Sequence, residues 1–104
     1  MIPDDALAAY DRIIATVPGL ERKGPTMPYT SLNGNMFSFL ADTGVLALRL
    51  SASDRDAFID GFGATLYVAH GRPMKEYVSV PPYLLADTAA LAPWFARSWD
   101  YAQT

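Results

Sequence analysis

The stretch Leu32-Asn33-Gly34-Asn35-Met36-Phe37-Ser38-Phe39-Leu40, which continues through Asp42-Thr43-Gly44 into Val45-Leu46-Ala47-Leu48-Arg49-Leu50, decides the fold class. Asn33-Gly34 supplies the positive φ angles of a tight hairpin turn, so a strand before it pairs with Met36–Leu40. Asp42-Thr43-Gly44 makes a second turn. Beyond it the residues alternate, placing Leu46, Leu48 and Leu50 on one face. Three antiparallel strands in a meander are the simplest reading. Strands joined by hairpins cannot form an alternating parallel fold, so any helices must cover a mostly antiparallel sheet.

Upstream, residues 21–30 contain Gly24, Pro25 and Pro28, which interrupt a strand or confine it to an edge. Pro3 suits a first helical position, and Asp4 and Asp5 complement the helix dipole there. Leu7, Tyr10, Ile14 and Val17 then recur at helical spacing until Pro18-Gly19 stops the run. Downstream, Ser53 with Asp56 reads as a capping-box-like start, Phe58, Ile59 and Phe62 form an apolar face, and Gly61 or Gly63 ends the helix. Thr65–Ala69 is a short strand, Gly71-Arg72-Pro73 turns the chain, and Met74–Val80 is a further strand closed by Pro81-Pro82. A short turn is expected at Tyr83–Leu85. The last helix begins at Asp87 or Thr88, or kinks or truly starts near Pro93. On that helix Leu91, Trp94, Phe95, Ser98, Trp99, Tyr101 and Ala102 share one broad face. The sum is an α+β fold of two layers, with helices packed on a mostly antiparallel five-stranded sheet in the order α-β-β-β-α-β-β-α. It is read as one domain over residues 1–104.

Composition narrows the chemistry. Hydrophobic residues make up 51% and charged residues 18%, a globular balance that supports a core without disulfides. Zero cysteines remove thiolate nucleophiles, disulfides and Cys-ligated zinc. The net charge is −3, and no basic run neutralises phosphates, so autonomous nucleic-acid binding is not expected. No apolar stretch approaches the ~20 residues of a membrane span. The start Met1-Ile2-Pro3-Asp4-Asp5 is acidic where a signal peptide is basic, so a cytoplasmic protein is expected.

No constellation points to catalysis, a metal or a cofactor. The single histidine, His70, sits in Ala69-His70-Gly71 and reads as a turn residue. No Gly-x-Ser-x-Gly elbow exposes a nucleophile. Gly61-Phe62-Gly63 lacks a third glycine and follows a helix, so it terminates that helix and cradles no phosphate. Glu76 lies in the strand Met74–Val80, where alternation puts it beside Met74, Val78 and Val80. Lys23, Arg49 and Lys75 are its possible ion-pair partners, and a paired surface glutamate is preferred to a general acid.

Gly34-x-Met36-Phe37 leading into Leu46-Ala47-Leu48-Arg49-Leu50 resembles the N-terminal domain of the TfoX/Sxy competence-regulator family. Phe58 matches that family's buried helical phenylalanine. Met74, Tyr77, Val80 and Pro81 match its later strand, and Leu84, Leu85, Asp87, Leu91 and Trp94 match its closing turn and Trp-bearing helix. The likeness runs from about Lys23 to Tyr101. It departs upstream, where Lys23 is followed by Met27-Pro28-Tyr29-Thr30 in place of the family's Arg-x-Met-Phe-Gly-Gly, and the family's second, helical domain is not in this chain. The resemblance implies a two-layer fold like that of secretion chaperones, with no enzymatic activity and no cofactor.

Two functions follow as expectations. One is a protein-interaction or regulatory module, a homodimer or the binder of a protein partner. Its contact would use Trp94, Trp99 and Tyr101 on the last helix, with the strand Met74–Val80 offering a sheet edge. The other is a small-ligand-binding protein or an enzyme using a polar patch of Lys23, Tyr29, Arg49 and Glu76. A convergent pocket favours the second, and an exposed aromatic patch the first.

Overall fold

The computed structural model describes residues 2–103. Its elements are α1 (Asp4–Ile14), β1 (Tyr29–Leu32), β2 (Asn35–Leu40), β3 (Leu46–Arg49), α2 (Ala52–Phe62), β4 (Thr65–Ala69), β5 (Arg72–Val80), α3 (Pro82–Leu85) and α4 (Thr88–Ala102). The strands form a five-stranded sheet in the order β1-β2-β3-β5-β4, with every neighbouring pair antiparallel. The α+β reading stands, with one addition: the turn near Tyr83 closes into the short α3. No helix among the described residues is long and apolar enough to cross a membrane.

Local chemistry explains the strand joints. Asn33 and Gly34 both hold positive φ, 52° and 81°, as a two-residue hairpin requires. The hairpin between β4 and β5 is tighter than the sequence suggests. His70 and Gly71 carry its positive φ angles, 53° and 77°, so Arg72 and Pro73 already belong to β5. Pro73 is tolerated because β5 extends past the end of β3, where no neighbour needs its missing N–H.

Four further expectations are corrected. Ser51, not Ser53, caps α2, accepting the Asp54 N–H at 3.4 Å. Leu50 still donates its N–H to Glu76 in the sheet, so Ser51 is the first residue free to cap. The last helix neither starts nor restarts at Pro93. Asp87 caps it by accepting the Ala90 N–H at 3.2 Å, and Pro93 lies inside, on the exposed side with Ala89. The carbonyl that Pro93 cannot bond is that of Ala89, itself an exposed residue. Finally, the strand containing Met74–Val80 is no sheet edge, because β3 and β4 flank β5 on either side. A register shift between β4 and β5 also breaks its alternation, so Met74 packs on the opposite face from Val78 and Val80.

The main core lies between the sheet and the helices. Leu46, Leu48, Leu50, Val78 and Val80 face Tyr10 and Ile13 of α1, Phe58 of α2 and Leu91 and Phe95 of α4. Leu7 packs only at its margin. A bulge adds one more large side chain. Thr30 faces Ser38 but Ser31 faces Met36, which leaves Phe37 as the extra residue in β2. Such a bulge lets consecutive side chains share a face. Phe37 meets the rings of Phe95 and Trp99 at 5.7 and 5.8 Å, while the Ser38 hydroxyl bonds to Tyr10 Oη at 2.7 Å.

Candidate functional site

All the helical residues of the hydrophobic clusters pack on one side of the sheet. The other side carries a second cluster made only of strand residues: Phe39, Ala47 and Tyr77 at its centre, with Tyr29, Met36, Tyr67 and Met74 around them. An antiparallel sheet with one face in water normally turns polar side chains outward. This one turns out aromatic rings and methionines.

The rings cover one another. Tyr67 meets Phe39 edge-on at 5.0 Å, and Tyr77 meets it at 5.5 Å, which leaves Phe39 only 4% exposed. The Tyr77 hydroxyl donates to the Met36 carbonyl at 2.7 Å, pinning β5 across β3 to β2. Burial raises the Tyr77 pKa above its ordinary value, and this outweighs the opposing charge of Arg49. Gly24 (φ 87°) sets the position of Tyr29: a Cβ there would strike the Met27 carbonyl and come within 2.9 Å of the Tyr29 ring.

The four polar candidates divide into two pairs. Arg49 donates through Nε to Glu76 at 2.9 Å, and Tyr101 Oη donates to the other Glu76 oxygen at 3.0 Å. The Arg49 guanidinium also lies 4.5 Å above the Tyr101 ring. The hydrogen bonds from Arg49, then from Tyr101, hold the Glu76 carboxyl below its ordinary range. For Arg49, burial pulls the pKa down, but the bond to Glu76 and its charge raise it overall. This cluster ties α4 to the sheet. Lys23 and Tyr29 pair elsewhere, through two backbone hydrogen bonds at 2.8 and 2.9 Å, and Lys23 Nζ reaches Ser31 Oγ at 3.3 Å.

The aromatic candidates of α4 pack on their own domain. Trp94 stands edge-on to Phe58 and Phe62 at 5.3 and 5.8 Å, with the Arg97 guanidinium 4.8 Å from its ring. Trp99 meets Phe37, and Tyr101 joins the Arg49–Glu76 pair. Trp99 and Lys23 also line an open cleft of about 260 Å³ between the loop after α1 and β1. A second cleft of about 280 Å³ runs between α1, the β2–β3 turn and α3. Among the described residues, no three of His, Asp and Glu gather closely enough to hold a metal ion.

The sequence reading names Tyr29 but misses Phe39, Tyr67 and Tyr77 as its companions. Their signal lies in the same alternation that places the leucines. Between Leu46 and Leu48 stands Ala47, and beside Leu40 and Val78 stand Phe39 and Tyr77, so the outward set is apolar as well.

Comparison with known proteins gives one family. The sequence model of the TfoX N-terminal domain matches residues 30–102, from within β1 to the end of α4. The match takes in the sheet and its open-face cluster apart from Tyr29, and it leaves out α1. No curated protein and no solved structure matches the chain.

Proposed function

The chain belongs to the TfoX N-terminal domain family, and from that premise we propose that it is a non-enzymatic, regulatory protein-interaction module. It works as a homodimer and meets its protein partner through the helix-free face of the sheet. The observation that carries this reading is the half-buried cluster of Phe39, Tyr77, Tyr67, Tyr29, Met36 and Met74, which no helical residue among those described joins. Tyr, Phe and Met are among the residue types enriched where proteins meet: the rings bury large areas with few rotatable bonds, and methionine adapts its shape to the partner.

The shape agrees. Small-molecule sites are concave and gather a few convergent polar groups. This face is a platform of rings, and the polar residues Lys23, Tyr29, Arg49 and Glu76 sit in two separate pairs. Glu76 is held ionised by Arg49 and Tyr101 on its two oxygens, the arrangement of a structural ion pair rather than of a proton-transfer group.

The test uses the intact chain as bait in extract of its native cells. Met36→Glu places a charge on the open face, and Ala89→Glu places one on the exposed side of α4. A protein retained by the wild type and by Ala89→Glu, and released by Met36→Glu, is the expected result. A metabolite that raises the melting temperature saturably, with the shift lost in Arg49→Ala, would replace this reading with ligand binding.

A further inference from the structure

A sheet of this kind has two edges, and here they are treated differently. β1 is guarded. Residue 23 bridges to it through both backbone hydrogen bonds with Tyr29, and the Lys23 ammonium lies over Ser31. β4 is not. Thr65-Leu66-Tyr67-Val68-Ala69 has no charge and no proline, the usual devices that keep an edge from pairing. Its Val68 is 57% exposed, the one strand residue among the large exposed hydrophobic side chains described.

The hydrogen-bond phase shows which groups of β4 are open. Leu50 donates to the Glu76 carbonyl, so Glu76, Val78 and Val80 direct their N–H and C=O groups to β3. Tyr77 and Ser79 therefore direct theirs to β4. Thr65, opposite Ser79, points its groups inward, as does Ala69 beside the hairpin turn. Leu66 and Val68 lie between these positions and turn their N–H and C=O groups outward. Between the Leu66–Val78 and Val68–Pro73 pairs, β5 advances further than β4, so β5 carries the irregularity and the outer edge of β4 stays regular.

We propose that this edge is the homodimer interface: β4 pairs with β4 of a second copy, antiparallel about a two-fold axis at Tyr67. The proposal rests on the homodimer reading above and names its contact. With the axis at Tyr67, Leu66 of each copy faces Val68 of the other, so the outward groups meet as hydrogen-bonded pairs. Thr65 likewise faces Ala69, and no charge opposes its like. The two five-stranded sheets become one continuous sheet. Their aromatic faces join at Tyr67, which doubles the surface offered to a partner. Because β1 is guarded, each copy has a single open edge, and the assembly closes as a dimer without growing into a filament. A five-residue edge is small beside the roughly 800 Å² per partner of a standard interface, which places the contact in the weak, transient class.

Sedimentation equilibrium over a wide concentration range is the test, with Val68→Lys and Val68→Glu alone and mixed. The wild type approaches twice its 11.3 kDa chain mass as concentration rises. Each variant weakens association at least tenfold, and the mixture recovers it, because the two positions are diagonal neighbours about 7–8 Å apart in this register. Far-UV circular dichroism confirms folding of the variants, and amide exchange gives a readout that needs none. In the wild type, the Leu66 and Val68 amides become protected with rising concentration. A dimer that ignores every Val68 change and leaves those two amides exchanging freely would refute the edge and keep the homodimer. A single-chain mass at all concentrations would refute both.

Discussion

Replacing Tyr10 by phenylalanine removes one oxygen from the core and changes almost nothing else. Tyr10 is fully buried on α1, and its hydroxyl lies 2.7 Å from Ser38 Oγ, which bonds in turn to Thr30 Oγ1. The chain of hydroxyls joins the helix layer to β1 and β2, and no described buried side-chain polar atom lacks a partner. At pH 7 the substitution should cost about 1–2 kcal/mol, the worth of one buried hydrogen bond whose partner is left partly unsatisfied. At high pH the order reverses. Burial, opposed only in part by the Ser38 and Thr30 hydrogen bonds, pushes the Tyr10 phenol from 10.0 to about 12. A folded-state pKa raised in this way gives stability that is complete below the unfolded value and lost as pH climbs to the folded one. The total loss is about 2.7 kcal/mol, of which about 1.4 is gone at pH 11. The Tyr10→Phe variant has no phenolic proton to lose, so the two stability curves should cross near pH 11. Urea denaturation at fixed temperature from pH 7 to 11.5, comparing the two proteins at each pH, reads this directly. A difference that stays constant with pH would refute the buried-phenol account. So would a Tyr10→Phe variant more stable than the wild type at pH 7.

Three further outcomes are expected. Leu48→Ala, at a fully buried position on β3, should cost about 2–5 kcal/mol in the same denaturation assay. Trp94→Ala should cost about 2–3 kcal/mol by emptying the site between Phe58 and Phe62, yet leave the sedimentation mass unchanged, since α4 packs on its own domain. Glu76→Ala should cost less than about 1 kcal/mol, because the Arg49–Glu76 pair is partly exposed. Its effect should also fade in acid: the folded Glu76 pKa is lowered, so its contribution is present above the ordinary value of 4.5 and disappears as pH falls through the lowered one.

The meander is legible in the sequence because it rests on local chemistry. Asn33-Gly34 readily takes the positive φ angles of a hairpin turn, and the leucines of Leu46–Leu50 repeat with the period of a strand. Gly63 ends α2 with φ 63° for the same local reason. Misread features depend on neighbours distant in sequence. β5 becomes interior only because β4 returns to its outer side, and Phe37 turns inward only because β1 and β2 slip by one residue. Ser51 and Ser53 each precede an Asp by three positions, and the sheet bond of Leu50 chooses between them. The candidate site divides the same way. The Arg49–Glu76 pair follows from adjacent strands, and Tyr29 stands out in the sequence as a polar residue. The wide aromatic arc of α4 draws attention from the rings on the far side of the sheet, although Trp94 and Trp99 serve the core beneath their own helix.

Photo-crosslinking in the native cells asks whether the helix-free sheet face is the surface that meets a partner. A benzophenone side chain replaces Tyr29 on the open face in one protein and Ala89 on the exposed side of α4 in another. The chain carrying the group at position 29 is expected to capture a discrete partner protein. Met36→Glu in the same chain is expected to abolish that capture, and position 89 to capture nothing specific. A partner captured at position 89 and not at position 29, or capture at 29 that survives Met36→Glu, would contradict the open-face reading.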